Sequence, residues 1–168
     1  MSLSMYEASA PRFISMLRNL DAILAKAQSH AVAKKIDPSV LLNSRLFPDM
    51  FPLIRQVQIT TDHAKGAVAR LAGVEVPKFE DTEQSFEDIR ARLAKTIAFV
   101  ESFNAEKIDG SEDREISLKV GGQDMTFKGM AYLIGFAMPN FYFHLVTAYN
   151  ILRHNGVEIG KRDYMGNP

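Results

Sequence analysis

Apolar residues recur at steps of three and four in four separate stretches of this chain, and a bundle of amphipathic helices is the fold that buries all four stripes together. In the first stretch, residues 4 to about 34, the recurring set is Tyr6, Ala10, Phe13, Leu17, Leu20, Leu24 and Ala27, with Arg12, Arg18, Asp21 and Lys26 elsewhere around the wheel. An unbroken helix there would run about 45 Å at ~1.5 Å per residue. Asp37-Pro38 then caps a short connecting turn that ends near Asn43-Ser44. The second helix opens at Phe47-Pro48-Asp49-Met50-Phe51-Pro52, because both prolines fit in or before a first turn whose N–H groups have no partners. It continues through Ile54, Val57, Thr61, Ala64, Val68 and Leu71 to a stop at Gly73, after which residues 74–82 read as an extended linker. The third starts at Ser85, with Asp88 completing a capping box, and carries Phe86, Ile89, Leu93, Ile97 and Val100. The last follows Lys128-Gly129 and meets Pro139, which either kinks it or starts a new helix. It runs to His154 and stops at Asn155-Gly156.

Between the third and fourth helices the period changes to two. Ile116, Leu118 and Val120 alternate with Glu115, Ser117 and Lys119, and Gly121-Gly122 precedes residues 123–127. That pattern marks a β-hairpin inserted between helices. A two-residue turn pairs Leu118 with Met125 and Ile116 with Phe127, placing apolar residues of both strands on one face, to lie over one end of the bundle. The fold class is therefore all-α, a four-helix bundle with a small hairpin between helices three and four. At 168 residues the chain is long enough for one core and short for two, so residues 1–168 are expected to form one domain.

Twenty basic and twenty acidic side chains cancel, with no dense Lys/Arg run, which argues against nucleic acid and anionic membrane as partners. The absence of cysteine removes disulfides, thiolate ligands and a Cys nucleophile, and fits a reducing cytoplasm. The first residues lack the basic and apolar regions of a signal peptide. Residues 131–152 are apolar enough to suggest a membrane span, but Pro139, Asn140, His144 and Thr147 interrupt the centre, so a buried core helix is expected. The partners left are a small molecule and a second copy of the chain.

Chemistry, if any, belongs on that last helix. Residues 140, 144, 147 and 151 share one face and read Asn, His, Thr, Ile among Phe141, Phe143, Leu145, Val146 and Leu152. Polar groups on a buried stripe need partners. One reading is a ligand or metal site, since a pair four residues apart stacks two side chains as metal-binding residues on bundle helices do. The other is a core histidine satisfied by its neighbours. From helix two, Arg55, Gln58 and Asp62 form a polar stripe suited to face it, whereas Gln56 and His63 fall elsewhere on the wheel. His63 and His30 sit among charged and polar neighbours and are expected to face solvent, and His154 suits a helix C-terminus. There is no phosphate-binding loop, nucleophile elbow or His-Glu-x-x-His sequence.

Three blocks carry a family resemblance: Met50-Phe51-Pro52-Leu53 with Gln56-Val57-Gln58 and Asp62; Pro139-Asn140-Phe141-Tyr142-Phe143-His144; and Leu152-Arg153-His154-Asn155-Gly156 through Gly160-Lys161-Arg162-Asp163-Tyr164. With them the chain resembles, over nearly its whole length, an uncharacterised bacterial domain-of-unknown-function family within the DinB/YfiT-like metalloenzyme superfamily. The resemblance implies a four-helix bundle, often dimeric. In metal-binding members it implies a divalent ion held by one His on the second helix and a His-x-x-x-His pair on the last; some members are thiol-dependent transferases or hydrolases. Here His144 matches the second His of that pair, Asn140 stands at the first, and Gln58 stands at the helix-two position. Amide oxygens are poor ligands for zinc or nickel, so no cofactor is expected to be held tightly; a divalent metal (Zn or Ni), if bound, would sit on His144, Asn140 and Gln58. The expectation is a cytoplasmic homodimer that binds a small molecule through Gln58, Asn140, His144 and Thr147, or serves structurally. The alternative is a divalent-metal-dependent transferase or hydrolase with His144 as ligand or general base and Asp62 as its catalytic partner.

Overall fold

In the computed structural model, which describes residues 3–166, the first apolar stretch forms two helices, α1 (Met5–Ala8) and α2 (Ala10–Lys34). Pro11 divides them: it has no N–H to offer the Glu7 carbonyl, and its ring crowds that oxygen. Arg12 Nε donates to the Glu7 carbonyl instead, at 3.4 Å, and the Ser9 hydroxyl donates to the Met5 carbonyl at 2.6 Å. The connector α3 (Pro38–Leu42) is capped by Asp37, whose carboxylate accepts from the Ser39 N–H at 2.8 Å.

Helix α4 (Leu53–Ala72) starts later than its sequence pattern implies, with Pro52 as N-cap and Pro48 left in the preceding turn. It ends at Gly73, whose φ of 71° is the left-handed cap a glycine accepts at little cost. The linker then leads to α5 (Phe86–Glu101), whose capping box is complete: Ser85 Oγ accepts from the Asp88 N–H at 3.0 Å and Asp88 Oδ2 from the Ser85 N–H at 3.1 Å. A short α6 (Ala105–Ile108) precedes the hairpin, β1 (Glu115–Val120) and β2 (Gln123–Lys128). Its register is the expected one, Leu118 opposite Met125 and Ile116 opposite Phe127.

After the hairpin the chain runs through α7 (Gly129–Tyr132), a π-helical turn (Leu133–Ala137) and α8 (Met138–His154), and α9 (Lys161–Met165) returns along α2. The π turn settles how Pro139 is accommodated. The Met138 N–H bonds to the Leu133 carbonyl five residues back, so the widened turn sits just before the proline, which falls in the first turn of α8. No helix among the described residues is long and apolar enough to cross a membrane.

The bundle consists of α2, α4, α5 and α8, with α4 packed against both α5 and α8 and α2 against α5. Leu17, Leu20 and Leu24 from α2 meet Val57, Val68 and Leu71 from α4 and Leu145 and Leu152 from α8 in one buried cluster. Each such side chain contributes about 1.5–3 kcal/mol by leaving water. Phe13 and Phe141 meet edge to face at 4.8 Å, tying α2 to α8. At the edge of this core, Phe127 of β2 packs on Tyr132 and Phe136, with ring centroids 6.1 and 5.5 Å away, and Ile116 of β1 is buried. This contact anchors the hairpin on the π turn.

Candidate functional site

His144 lies one turn beyond Asn140 on α8 and meets α4, but the glutamine it meets is Gln56. Its Nδ1 is 2.7 Å from Gln56 Oε1, while Gln56 Nε2 donates to the Phe51 carbonyl at 3.0 Å. The second bond fixes the amide's orientation, so the oxygen faces the imidazole. An amide oxygen only accepts, hence Nδ1 of His144 carries the proton and the neutral ring keeps its lone pair on Nε2. Gln56 is 2% exposed and His144 is half-buried, so the bond is partly shielded from bulk water.

His63, expected to face solvent, is half-buried, and its ring stacks on that of His144 with centroids 5.9 Å apart and planes 12° from parallel. Burial, reinforced by the neighbouring His144 and only partly opposed by Asp62, lowers its pKa to about 4. Burial and the Arg55 charge also hold His144 below the ordinary histidine range. At neutral pH the site therefore presents two adjacent uncharged imidazoles. The charged neighbours Asp62 and Lys65 misled the sequence reading because they are themselves held in pairs, as follows.

Asp62 and Gln58 belong to a different network, centred on Arg92 of α5. The Arg92 side chain is 2% exposed. Its Nη2 donates to Asp62 Oδ1 at 2.9 Å, its Nη1 to Glu83 Oε1 at 3.0 Å and its Nε to Thr61 Oγ1 at 2.7 Å, and Nη1 also forms an ion pair with Asp81 Oδ1 at 3.0 Å. Lys65 Nζ reaches the same Asp62 oxygen at 2.9 Å. Gln58 donates to Glu83 Oε2 at 2.8 Å and accepts from Arg55 Nη1 at 3.2 Å, and Arg55 also pairs with Asp81. Gln58 thus fastens the linker to α4, and Asp62 neutralises Arg92 and Lys65. The facing arrangement expected of Gln58 and Asp62 with His144 is replaced by Gln56 and His63. The Thr147 hydroxyl donates to the Phe143 carbonyl at 2.6 Å within its own helix, and Asn140 Nδ2 donates to the Phe136 carbonyl at 2.7 Å across the π turn.

Beside His63 lies a cleft of about 540 Å³, whose lining includes Asn140 and Asp62 but not His144, Gln58 or Thr147. One wall is α4, with Arg55, Ile59, Asp62, His63 and Arg70; the other is the hairpin tip, with Leu118 to Gly121; Phe136 and Asn140 join them. Its size and its mixture of apolar surface with a few polar groups suit a small organic molecule. Arg70, Phe136 and the hairpin residues carried no distinct sequence signal, since a cation on α4 and apolar strand residues read equally well as surface and packing.

Among the described residues, no three His, Cys, Asp or Glu side chains converge as a metal cage. The donors at His144 do not make up the three-imidazole pattern: His63 is the one other imidazole beside it, with the two rings parallel and 5.9 Å apart, and the third position is Asn140, whose amide nitrogen is bonded to the Phe136 carbonyl.

A four-helix bundle with a hairpin before its last helix, and a histidine of that helix facing α4 beside a cleft, defines a DinB-like protein. The crystal structure of a DinB family member protein from Shewanella denitrificans is similar, with a TM-score of 0.88 and 44% sequence identity over 97% of this chain and 92% of that one. The chain belongs to the family described as domain of unknown function DUF1993, which matches residues 5–165. No curated protein matches it.

Proposed function

We propose that this protein is a cytoplasmic homodimer that binds a small molecule in the cleft between α4 and the hairpin, without a tightly held metal. The observation that carries the reading is the Gln56–His144 bond beside a half-apolar cleft: an amide holds the imidazole in one tautomer and engages its Nδ1. Asn140 and His63 add polar groups to the cleft wall, while Phe136, Ile59, Leu118 and Val120 offer apolar contact. Dimerisation is supported by two exposed apolar side chains, Ile134 of the π turn and Phe143 of α8, 57% and 54% exposed. The test combines elemental analysis of untagged protein with amide chemical-shift mapping against a panel of small organic molecules. A stoichiometric divalent ion that disappears in His144→Ala would overturn the reading, and shifts confined to the cleft would support it.

One observation favours the metal-dependent transferase or hydrolase as a second reading. His63 and His144 are adjacent and both neutral, which is the protonation state a metal ligand or general base requires. Restoration of a thiol-dependent turnover by added Zn or Ni, lost in His63→Gln, would establish it over the first.

A further inference from the structure

Arg70 lines the cleft as a half-buried cation, yet among the described residues its guanidinium forms no ion pair. The other charges of the α4 wall are compensated: Arg55 by Asp81, and Asp62 by Arg92 and Lys65. Arg70 is held by neutral groups instead. Its Nη1 donates to the hydroxyl of the fully buried Tyr132 at 3.0 Å, and its Cζ lies 5.9 Å from that ring's centroid.

The helix is also shaped around it. Gly66 sits in the middle of α4, where glycine costs about 1 kcal/mol relative to alanine. A Cβ at Gly66 would overlap Arg70 Nη1, because the Arg70 side chain folds back over the preceding turn. Gly66 therefore leaves the space in which the guanidinium lies, and Tyr132 fixes it there.

We propose that Arg70 is the anion-recognition residue of the cleft and that the ligand is a small monocarboxylic acid with an apolar body. The carboxylate accepts from the guanidinium N–H groups that Tyr132 does not engage, and the body rests on Phe136, Ile59, Leu118 and Val120. Arg55 on the same wall is already paired with Asp81 and Lys119 stands exposed at the hairpin tip, so Arg70 is the fixed, half-buried cation of the cleft and matches a single carboxylate. The proposal rests on the small-molecule reading of the cleft and adds the chemical class of the ligand.

The test uses phenylpropionate and its neutral amide as probes, titrated into the full chain by calorimetry with amide chemical-shift mapping. Charge-assisted bonds to the guanidinium should make the acid bind about tenfold to a hundredfold more tightly than the amide, with shifts at Leu118, Val120 and Phe136. Arg70→Gln and Gly66→Ala should each abolish that preference. The glycine variant is the sharper of the two, because alanine keeps or raises the melting temperature while its Cβ displaces the guanidinium. If Arg70→Gln fails to fold, Arg70→Lys takes its place and should lower the preference by losing the planar fork. Equal binding of acid and amide in the cleft would overturn the carboxylate assignment and leave the small-molecule reading standing. Binding of neither at millimolar concentration, or shifts elsewhere only, would overturn both. An undiminished preference in folded Gly66→Ala would overturn the role given to Arg70.

Discussion

Replacing Arg92 by methionine should destabilise the protein by about 2–4 kcal/mol and loosen the linker in particular. Removing one member of a buried ion pair costs about 3–5 kcal/mol, because the remaining charge is stranded. Here the stranding is incomplete. The Glu83 side chain is 10% exposed and cannot rehydrate well, whereas Asp62 and Asp81 are 37% and 39% exposed and recover much of their hydration. The upper part of the range is therefore discounted. Methionine replaces most of the aliphatic volume, so little cavity is added. Urea denaturation would read the loss directly, and the melting temperature should fall by about 5–15 °C for a chain of this size. Because Arg92 Nη1 also donates to the linker's Glu80 carbonyl at 3.2 Å, trypsin should cleave at the exposed Lys78 faster than the global loss alone explains. A loss below about 0.5 kcal/mol, the level of a solvent-exposed pair, would refute the claim that this cluster fastens the linker.

Gln56→Glu should raise the His144 titration midpoint measured by NMR, since a carboxylate replaces a neutral oxygen 2.7 Å from Nδ1; an unchanged midpoint would show that the bond is not formed in solution. The same variant should lose about 1–3 kcal/mol, because the Phe51 carbonyl loses its donor. The lowered His63 pKa predicts pH-dependent stability: the unfolded ring binds a proton near pH 6.5 and the folded one only near pH 4, so its contribution is complete above pH 6.5 and is lost as pH falls to about 4. Denaturation across that window should give a shallower slope in His63→Gln than in the unmodified protein. Two glycines should respond oppositely to alanine in a thermal melt. At Gly129 a Cβ would overlap the Ser111 carbonyl oxygen, with a loss of about 1–3 kcal/mol, whereas Gly135 in the π turn has open space and should gain about 0.5–1 kcal/mol.

The helices, the capping box at Ser85 and the hairpin register were legible because each is written in a local period or a short-range bond. The rotation of α4 about its axis was not. Gln56 and Gln58 are about 200° apart on a helical wheel, and only the packing of neighbours decides which one faces α8. The apolar stripe through Val57, Ala64 and Leu71 suggests a helix with one dry face, yet Gln56, Thr60, Lys65 and Gly66 are buried as well. Helix α4 is covered by α2, α5, α8 and the linker, so its polar residues are buried by partners that lie far away in the sequence. That is also why His63 reads as exposed: a histidine near an aspartate and a lysine looks like surface unless the pairing of Asp62 with both Arg92 and Lys65 is known. The break before Pro11 had a signal in the proline itself, which the uninterrupted apolar period outweighed.

The π turn at Leu133–Ala137 carries a consequence for how this last helix can vary. A helix advances by about 100° per residue, and a single widened turn inserts one residue without breaking the ladder. Each residue after it therefore takes the place that the residue one earlier would hold in an unbroken α-helix. Tyr132, which steadies Arg70, lies before the turn, and Asn140 and His144 lie after it. The angle between the two parts of the site is thus a matter of residue count. A one-residue deletion in this segment would turn it into a regular α turn and keep the imidazole facing Gln56, whereas a one-residue deletion between the π turn and His144 would swing the imidazole away by about 100°.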